Sequence, residues 1–246
     1  MEAFMVILMV FITGAVLILR TPTGKGWLGE TIIKIAIGKN GYDEKKNHYV
    51  IHDLIIEVAP GKTSQIDHIV INQNGIFVIE TKNYSGRIYG TETQHEWTQV
   101  LQYGKIKNKF YNPIKQNATH IYRLEKLLET NLPIYSVVVF IQANIDNVRA
   151  SNVIPCKNLR FFLKIHTSTS ISPEKMKETY QKILEIKENS TVTAQEHIMN
   201  IYTMQEKVKY NICPRCNGNL VLRHGKYSDF MGCENFPNCR FRKNIE

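Results

Sequence analysis

The chain has 246 residues, of which 43% are hydrophobic, and its formal net charge is +9. A chain of this length and composition can bury a full core and has room for one domain with appendages, which excludes an intrinsically disordered protein. The positive charge suits an anionic partner, either nucleic acid or an acidic membrane surface, and carries no information about the fold.

An uncharged apolar segment opens the chain. Residues Phe4 to Leu19, together with Ala3, give about 17 apolar or small positions, which is the lower limit for a membrane-spanning helix. A cleaved signal peptide has Lys or Arg before its apolar run, but no Lys or Arg precedes this segment. Its flanking cations, Arg20 and Lys25, come after it. We therefore predict an uncleaved transmembrane anchor over residues 1–20, with the rest of the chain in the cytoplasm. A buried core helix is the alternative, although the segment has no polar face.

The next elements follow in chain order. Residues 21–25 are turn-forming and predict a linker. From Trp27 to about Ile37, apolar residues recur at helical spacing. Residues 48–58 have the composition of a strand, and Pro60-Gly61 then predicts a turn.

A β-hairpin is predicted over residues 65–82, because two apolar runs are joined by a loop that contains Asn74-Gly75. If Ile71 pairs with Ile76, the register sets four polar residues opposite each other in two pairs, Asp67 with Glu80 and Gln65 with Lys82. A tighter loop would shift the pairing by two residues, yet the strand period of two would keep all four side chains on one face.

Two facing carboxylates on an apolar hairpin repel each other unless positive charge lies between them. A divalent cation such as Mg²⁺ takes oxygen ligands, and Lys82 adds a donor at the same place, which together suit phosphodiester cleavage. The alternative is a cross-strand ion pair. The tripeptide Glu-x-Lys does not decide between them, because it also occurs at residues 44–46 and 185–187.

The following elements complete a core. Short strands over residues 86–90 and 96–102 form an insertion that bears Trp97. Asn112 is a suitable N-cap for a helix that starts at Pro113 and has Gln116 in its first turn. The apolar, β-branched run from Ile134 to Ile141 predicts a strand buried on both faces. The predicted order is αβββαβ, an α/β fold with a mixed sheet.

Several of these residues together resemble the nuclease-related domain family, NERD, over residues 26–142. The resemblance rests on Gly29-Glu30, Gln-Ile-Asp-His at 65–68, Gly-Ile-Phe-Val-Ile-Glu-Thr-Lys at 75–82, Trp97, Asn112-Pro113 and Gln116. In its proposed fold the family is similar to the restriction-endonuclease-like PD-(D/E)xK nucleases, and here Gln-Ile-Asp replaces their Pro-Asp.

The resemblance implies a metal-dependent nuclease. Asp67 and Glu80 would bind Mg²⁺ or Mn²⁺, with Glu30 and the carbonyl of Thr81 as further ligands. Lys82 would orient or deprotonate the attacking water and stabilise charge on the scissile phosphate. Two glutamines are auxiliary candidates, Gln65 and Gln116.

Two alternatives stay open at this point. Glu30 lies in the first turn of the predicted helix, where a carboxylate also complements the helix dipole without any catalytic role. The whole core could likewise be a catalytically inactive, nuclease-like tether that binds nucleic acid at the membrane. Both the enzyme and the tether predict affinity for DNA, and only the enzyme predicts cleavage.

Residues 143–209 are predicted to extend the core. Strands are expected over residues 152–165, where Cys156 is interpreted as a small buried hydrophobic residue. One helix should begin after Ser172, and a capping box formed by Thr193 and Glu196 should open another.

Residues 210–246 form a separate module with four cysteines spaced C-x2-C, sixteen residues, C-x5-C. Four thiolates suit tetrahedral zinc, and a unit of about 30 residues cannot bury enough core to fold without such a staple. Disulfides, the alternative, fit poorly with a cytoplasmic location. The predicted zinc ligands are Cys213, Cys216, Cys233 and Cys239.

Aromatic and basic residues surround these cysteines. Bases stack on aromatic rings and cations follow phosphates, so the composition suits single-stranded DNA. The module resembles the four-cysteine zinc ribbons of bacterial type I DNA topoisomerases at Gly232-Cys233 and Phe236-Pro237-x-Cys239. A protein adaptor is the alternative, because zinc ribbons also bind proteins. The aromatic and basic residues are Arg215, Arg223, Lys226, Tyr227, Phe230, Phe236, Arg240, Phe241, Arg242 and Lys243.

Overall fold

The computed structural model describes residues 22–59, 62–165, 170–190, 192–225 and 229–245. Two compact units are present: Met1–Ile56 with Ser64–Ser190, and Glu57–Thr63 with Thr191–Glu246. The predicted anchor, Phe4 to Leu19, lies outside the described residues. Within them, no helix has both the length and the apolar composition needed to span a membrane.

The first unit is built on a six-stranded mixed sheet with the strand order β1-β2-β3-β4-β8-β10. Strands β3 and β4 are antiparallel, and β4, β8 and β10 run parallel to one another. The strands are β1 (Gly41–Asp43), β2 (His48–Ala59), β3 (Lys62–Asn72), β4 (Gly75–Lys82), β8 (Ile134–Phe140) and β10 (Val153–Pro155).

Four α-helices of this unit lie within the described residues. They are α1 (Pro22–Ile37), α2 (Pro113–Leu128), α3 (Leu159–Ile165) and α4 (Pro173–Asn189). Apolar residues of α1 and α3 pack with those of β4 and β8 in one buried cluster, which includes Ile33, Phe77, Val137, Leu159 and Phe162. From α1 to β8 the elements follow the predicted αβββαβ order, apart from the short β1 and an inserted sheet.

The inserted sheet has four strands in the order β7-β6-β5-β9. They are β5 (Arg87–Thr91), β6 (Glu96–Leu101), β7 (Ile106–Tyr111) and β9 (Asn144–Arg149). Trp97 is fully buried and covers Gly90, where an added Cβ would lie 2.3 Å from the indole ring. The predicted insertion is therefore confirmed, and it is larger than expected.

The buried amide of Asn112 joins this insertion to α2. Its Oδ1 accepts a hydrogen bond from the backbone N–H of Ile114 at 2.9 Å, which caps the helix as predicted. Its Nδ2 donates to three backbone carbonyls, those of Thr91, Glu92 and Gln94, at 3.2, 3.1 and 2.8 Å. One side chain thus fixes both the start of α2 and the loop between β5 and β6.

Two predicted elements are wrong. Helix α1 begins at Pro22, so the described part of the linker over residues 21–25 is helical; proline is tolerated in a first turn because that turn needs no N–H donor. Residues 159–165 form α3 and not a strand. Leu159 and Leu163, one helical turn apart, both pack into the core, and this burial outweighs the β propensity of the segment.

The second unit contains α5 (Ala194–Lys209) and a three-stranded antiparallel sheet of β11 (Leu220–His224), β12 (Asp229–Cys233) and β13 (Arg242–Asn244). The predicted capping box of Thr193 and Glu196 is present at the start of α5. Three cysteines and Leu220 form its small buried core. Residues Thr191–Glu246 all belong to this unit, so α5 belongs with the cysteines.

Candidate active site and zinc centre

The β3–β4 hairpin has the register expected from the sequence. Ile71 pairs with Ile76, and Asn72 pairs with Gly75 across a two-residue turn. Gly75 has φ +149°, and an added Cβ would lie 2.8 Å from the carbonyl oxygen of Pro133, so this position requires glycine. Continued along the strands, the register sets Asp67 opposite Glu80.

Four of the predicted residues meet where β4 ends. Asp67 accepts a hydrogen bond from the backbone N–H of Thr81 at 2.8 Å. Lys82 Nζ donates to Glu80 Oε1 at 2.7 Å and to Gln116 Oε1, in the first turn of α2, at 3.0 Å. The strand therefore carries the charged pair, and the helix supplies the amide that holds the lysine.

His120 completes this group and was missed in the sequence. Its Nε2 lies 3.5 Å from Glu80 Oε2, and its Nδ1 lies 2.7 Å from the hydroxyl of Ser64 on β3. It follows Gln116 by four residues, and residues at this spacing lie next to each other on a helix. That spacing from a predicted site residue was the signal that could have identified it.

The charges of the group are unequal. Burial, and then the charge of Glu80, raise the pKa of Asp67 to about 8. Burial also opposes ionisation of Glu80, yet His120 and Lys82 together lower its pKa below the ordinary value. Burial disfavours the charged form of Lys82 as well, but Glu80 holds its pKa above the ordinary value. Without a metal ion, the site therefore opposes ionisation of Asp67 and favours an ionised Glu80 beside a charged Lys82.

This arrangement leaves room for a cation. Glu80 Oε2 is buried with only a long contact, 3.5 Å to His120 Nε2, and burial together with the charge of Glu80 opposes ionisation of Asp67. Within the described ranges, only the four cysteines bring three or more metal-ligating groups together, so Glu30 does not close a three-ligand cluster with the pair. Two carboxylates plus water and substrate phosphate are nevertheless a usual set for Mg²⁺.

Glu30 lies near the site but has other close partners. Gly29 allows α1 to approach the end of β4, because an added Cβ would lie 2.7 Å from Cβ of Asn83. The nearest cation to Glu30 is Lys34, at 4.0 Å, which also pairs with Asp53 at 2.8 Å. Burial and the charge of Asp53 raise the pKa of Glu30, and its charge in turn helps raise that of Asp67.

The two other polar residues of the Gln-Ile-Asp-His run have different environments. Gln65 is half-buried on β3, and its side chain has no hydrogen bond to a described residue. His68 is fully buried, with its Nδ1 2.9 Å from Nδ1 of His52, whose Nε2 lies 2.8 Å from the carbonyl oxygen of Gly38. Burial lowers the pKa of His68 to about 3. This histidine pair joins the sheet to the end of α1.

Asp67 should make the stability of the metal-free protein depend on pH. Its pKa is about 8 in the fold and 3.8 ordinarily, so the folded state holds an extra proton between these values and the free energy of unfolding falls as pH rises from 4 to 8. Asp67→Asn should flatten this fall, measured by denaturant unfolding from pH 5 to 9 without divalent cations. Asp146→Asn, at an exposed position, is the control. An unchanged slope in Asp67→Asn would contradict the assignment.

In the second unit, the predicted zinc ligands come together. The Sγ atoms of all four cysteines lie within 4.8 Å of one another, with Cys213 and Cys239 at 3.6 Å and Cys216 and Cys233 at 3.3 Å. A tetrahedral zinc with Zn–S distances of about 2.3 Å separates its ligands by about 3.8 Å. Without a metal ion the ligands differ: a hydrogen bond from the backbone of Gly218 lowers the pKa of Cys216 to about 6, whereas burial raises the pKa of Cys233 to about 12. The cluster is consistent with one structural zinc ion.

Cations and aromatic rings lie together next to this cluster. The guanidinium of Arg223 lies 5.7 Å from the ring centre of Phe236, and that of Arg215 lies 5.9 Å from Phe241. An open hollow on this surface is lined by Arg223, Phe230, Phe236, Arg240, Phe241 and Arg242. Six of the side chains singled out in the sequence thus line one surface, whereas Lys226 and Tyr227 lie outside the described residues.

Comparison with known proteins identifies both parts of the chain. The model of the nuclease-related domain, NERD, matches residues 25–141. An uncharacterized protein of Bacillus anthracis is 34% identical over 171 residues, which cover 67% of this chain and 78% of that protein. The chain belongs to the NERD family. The matched region of this NERD protein contains every residue that the sequence predicted for the active site.

The C-terminal module of the NERD protein matches a second family model, the topoisomerase DNA binding C4 zinc finger, over residues 210–246. DNA topoisomerase 1 of Mycoplasmoides gallisepticum is 43% identical over 47 residues, or 19% of this chain, and that of Rickettsia conorii is 38% identical over 66 residues, or 26%. These segments cover 6% and 8% of the two topoisomerases, so the likeness concerns the zinc module alone. No solved structure gave a significant match.

Proposed function

We propose that this NERD protein is a metal-dependent nuclease that hydrolyses phosphodiester bonds, and that its zinc ribbon binds DNA, preferentially single-stranded. The observation that carries the proposal is the buried group at the end of β4. Burial and Glu80 oppose ionisation of Asp67, whereas Glu80 is ionised beside a charged Lys82, and the second Glu80 oxygen has only a long contact, 3.5 Å to His120 Nε2. Such a site would be stabilised by a bound cation, and its lysine could contact a phosphate of the substrate.

Asp67 and Glu80 would hold Mg²⁺ or Mn²⁺, which would supply positive charge at the scissile phosphate and lower the pKa of a bound water. Lys82 is charged at neutral pH because Glu80 raises its pKa. This favours the role of stabilising negative charge on the phosphate over the role of removing a proton from water. Gln116 would keep the ammonium group in place through its 3.0 Å hydrogen bond.

The full chain should cleave single-stranded or duplex DNA when Mg²⁺ or Mn²⁺ is added, and it should not cleave without them. Omitting the ions is a better test than adding a strong chelator, because a chelator would also remove zinc from the ribbon. If no DNA or RNA is cleaved with either ion, the nuclease proposal fails.

His120 should act as a positioning residue for Glu80. His120→Ala removes the group 3.5 Å from Glu80 Oε2, so we expect activity or Mg²⁺ affinity to fall about 10- to 100-fold, as when a residue that orients a metal ligand is lost. The Mg²⁺ concentration for half-maximal cleavage should rise, which a purely structural role would not require. Thr119→Ala, exposed on the same helix, is the control. Unchanged cleavage and Mg²⁺ dependence in His120→Ala would contradict this role.

A second candidate function is a catalytically inactive tether that binds nucleic acid. The 2.7 Å contact between Lys82 and Glu80 favours it, because a structural ion pair has this geometry too. In either function, we propose that residues 1–20 anchor the protein in the membrane with both units in the cytoplasm.

A further inference from the structure

The inserted sheet of the first unit has one buried face and one exposed face. Trp97 and Phe110 are directly paired, so they share a face, and together with Ile88 they pack into a cluster with Phe140 of β8. Successive residues of a strand point to opposite faces, so the residues before and after these on each strand, and their direct partners, point to the other side. That side, here called the outer face, is open to solvent at Arg87, Tyr89, Lys107 and Lys109, which are all exposed.

Cations and a tyrosine form neighbouring rows on the outer face. One row across β5, β6 and β7 consists of Arg87, Val100 and Lys107. The next row consists of Tyr89, Thr98 and Lys109. Strand β9 adds Asn147 beside Tyr89 and Arg149 beside Thr91.

These charged side chains have no partners in the described part of the protein. Arg87, Lys107, Lys109 and Arg149 are all exposed, and none forms an ion pair with a described residue. The acidic residues Glu96 and Asp146 line the end of the face near Arg149. Positive charge therefore dominates the end that carries Arg87 and the two lysines.

Tyr89 lies between two hollows of this surface. One is lined by Arg87, Tyr103 and Lys107, and the other by Thr98, Asn147 and Arg149. The Tyr89 side chain is 40% exposed in the middle of the sheet. An exposed ring among cations offers a stacking surface for a base while the cations contact the phosphates on either side.

We propose that the outer face is a second binding site for single-stranded nucleic acid, in which a base stacks on Tyr89 and the phosphates follow Arg87, Lys107 and Lys109. An acidic protein or an anionic membrane would use the charges, but neither would need an exposed tyrosine at the centre of the rows. The site belongs to the same unit as the candidate active site and is separate from the zinc ribbon.

The position of this face suggests a role in the proposed cleavage reaction. This role depends on the proposed function, whereas the binding of nucleic acid by the face does not. Arg87 follows Lys82 by five residues, so their Cα atoms are at most about 18 Å apart. A strand held on Arg87 and Lys107 would therefore reach the candidate active site within a few nucleotides. The outer face would keep the strand near Asp67 and Glu80 while it is cleaved.

Photo-cross-linking can locate the bound strand directly. The full chain with Asp67→Asn, in buffer without Mg²⁺ or Mn²⁺, is irradiated with a single-stranded oligonucleotide that contains 4-thiothymidine, and the cross-linked peptides are identified by mass spectrometry. We expect cross-links in residues 87–111, and the zinc ribbon peptides provide an internal reference. In R87Q/K107Q/K109Q the cross-links to residues 87–111 should fall at least about fivefold relative to the ribbon, and Tyr89→Leu should lower them about tenfold, since one stacked base is lost.

The matched control is K157Q/K177Q/K182Q, which removes three exposed cations of the same unit and should leave the pattern unchanged. Absence of cross-links in residues 87–111, or cross-links that persist in R87Q/K107Q/K109Q, would overturn the proposal. If R87Q/K107Q/K109Q instead loses a preference for phosphatidylglycerol vesicles over phosphatidylcholine vesicles, with unchanged cross-links, the face would be assigned to a membrane surface. Because no cleavage is needed, a chain that cross-links here but never cleaves would contradict the nuclease proposal alone.

Discussion

Alanine at Asp67, Glu80 or Lys82 should each remove most of the metal-dependent cleavage, by about 100-fold or more. The three residues act on one centre, and residues that act as a unit each cause nearly the full loss when removed singly. Loss of either carboxylate would weaken the hold on the cation, and loss of Lys82 would remove the positive charge facing the phosphate. Initial cleavage rates of the full chain at saturating Mg²⁺ measure the effect.

Two other Glu-x-Lys tripeptides in the chain provide the controls. Glu44 and Glu185 are exposed, so Glu44→Ala and Glu185→Ala should leave cleavage unchanged. Equal losses in these variants would show that general charge, and not the β4 site, determines activity.

Protein stability separates the enzyme from the tether in the same set of variants. Above about pH 8, where Asp67 ionises, Asp67→Ala relieves the repulsion from Glu80 and removes a buried charge, so it should be neutral or stabilising without metal ions. Glu80→Ala leaves Lys82 without the partner that lies 2.7 Å away and should cost about 3–5 kcal/mol, as for a broken buried pair. A folded Asp67→Ala that retains full cleavage would be incompatible with the proposed site.

Removal of zinc should unfold the C-terminal module and leave the first unit folded. The described module is stabilised chiefly by the four cysteines and a few apolar contacts, whereas structural zinc supplies about 10–16 kcal/mol in comparable small domains. Metal analysis of the full chain should give one zinc per molecule. Calorimetry with a chelator should show loss of one transition, and affinity for single-stranded DNA should fall with it.

Cysteine substitutions make this prediction specific. Cys213→Ser and Cys239→Ser should each lose the zinc and the transition, whereas Cys156→Ser should keep both, because Cys156 packs against the first unit's core. A chain that binds zinc but whose DNA affinity does not depend on it would favour the protein-adaptor function for the ribbon.

The sequence predicts those parts of the site that depend on local pattern. The strand period and the Asn-Gly turn give the register of the β3–β4 hairpin, and the N-cap at Asn112 gives the start of the helix that carries Gln116. The meeting of Gln116 with Lys82 is different, because it depends on how α2 packs against the sheet, which no local pattern specifies. The same holds for the contact between His120 and Ser64, which are 56 residues apart in the chain.

The elements that the sequence does not predict correctly, or does not predict at all, are those with weak hydrophobic periodicity. Strand β7 contains mainly exposed polar residues, so neither an apolar run nor an alternating pattern marks it; its pairing with β6 holds it in place. In α3 the order of Leu159, Phe162 and Leu163 allows either a short strand or one helical face, and the shape of the core decides. Helix α1 continues back through Gly24 and Gly26, two residues that intrinsic propensity disfavours in a helix.

The four hydrogen bonds of the Asn112 side chain restrict how the inserted sheet can be exchanged between relatives. A loop transplanted between β5 and β6 would have to present its carbonyls at the positions of Thr91, Glu92 and Gln94, or leave a buried amide without acceptors. The same amide caps the helix that carries Gln116 and His120. The inserted sheet and the active-site helix therefore have to be exchanged together. Chimeras joined between β5 and Asn112 would alter the site without changing any residue in it.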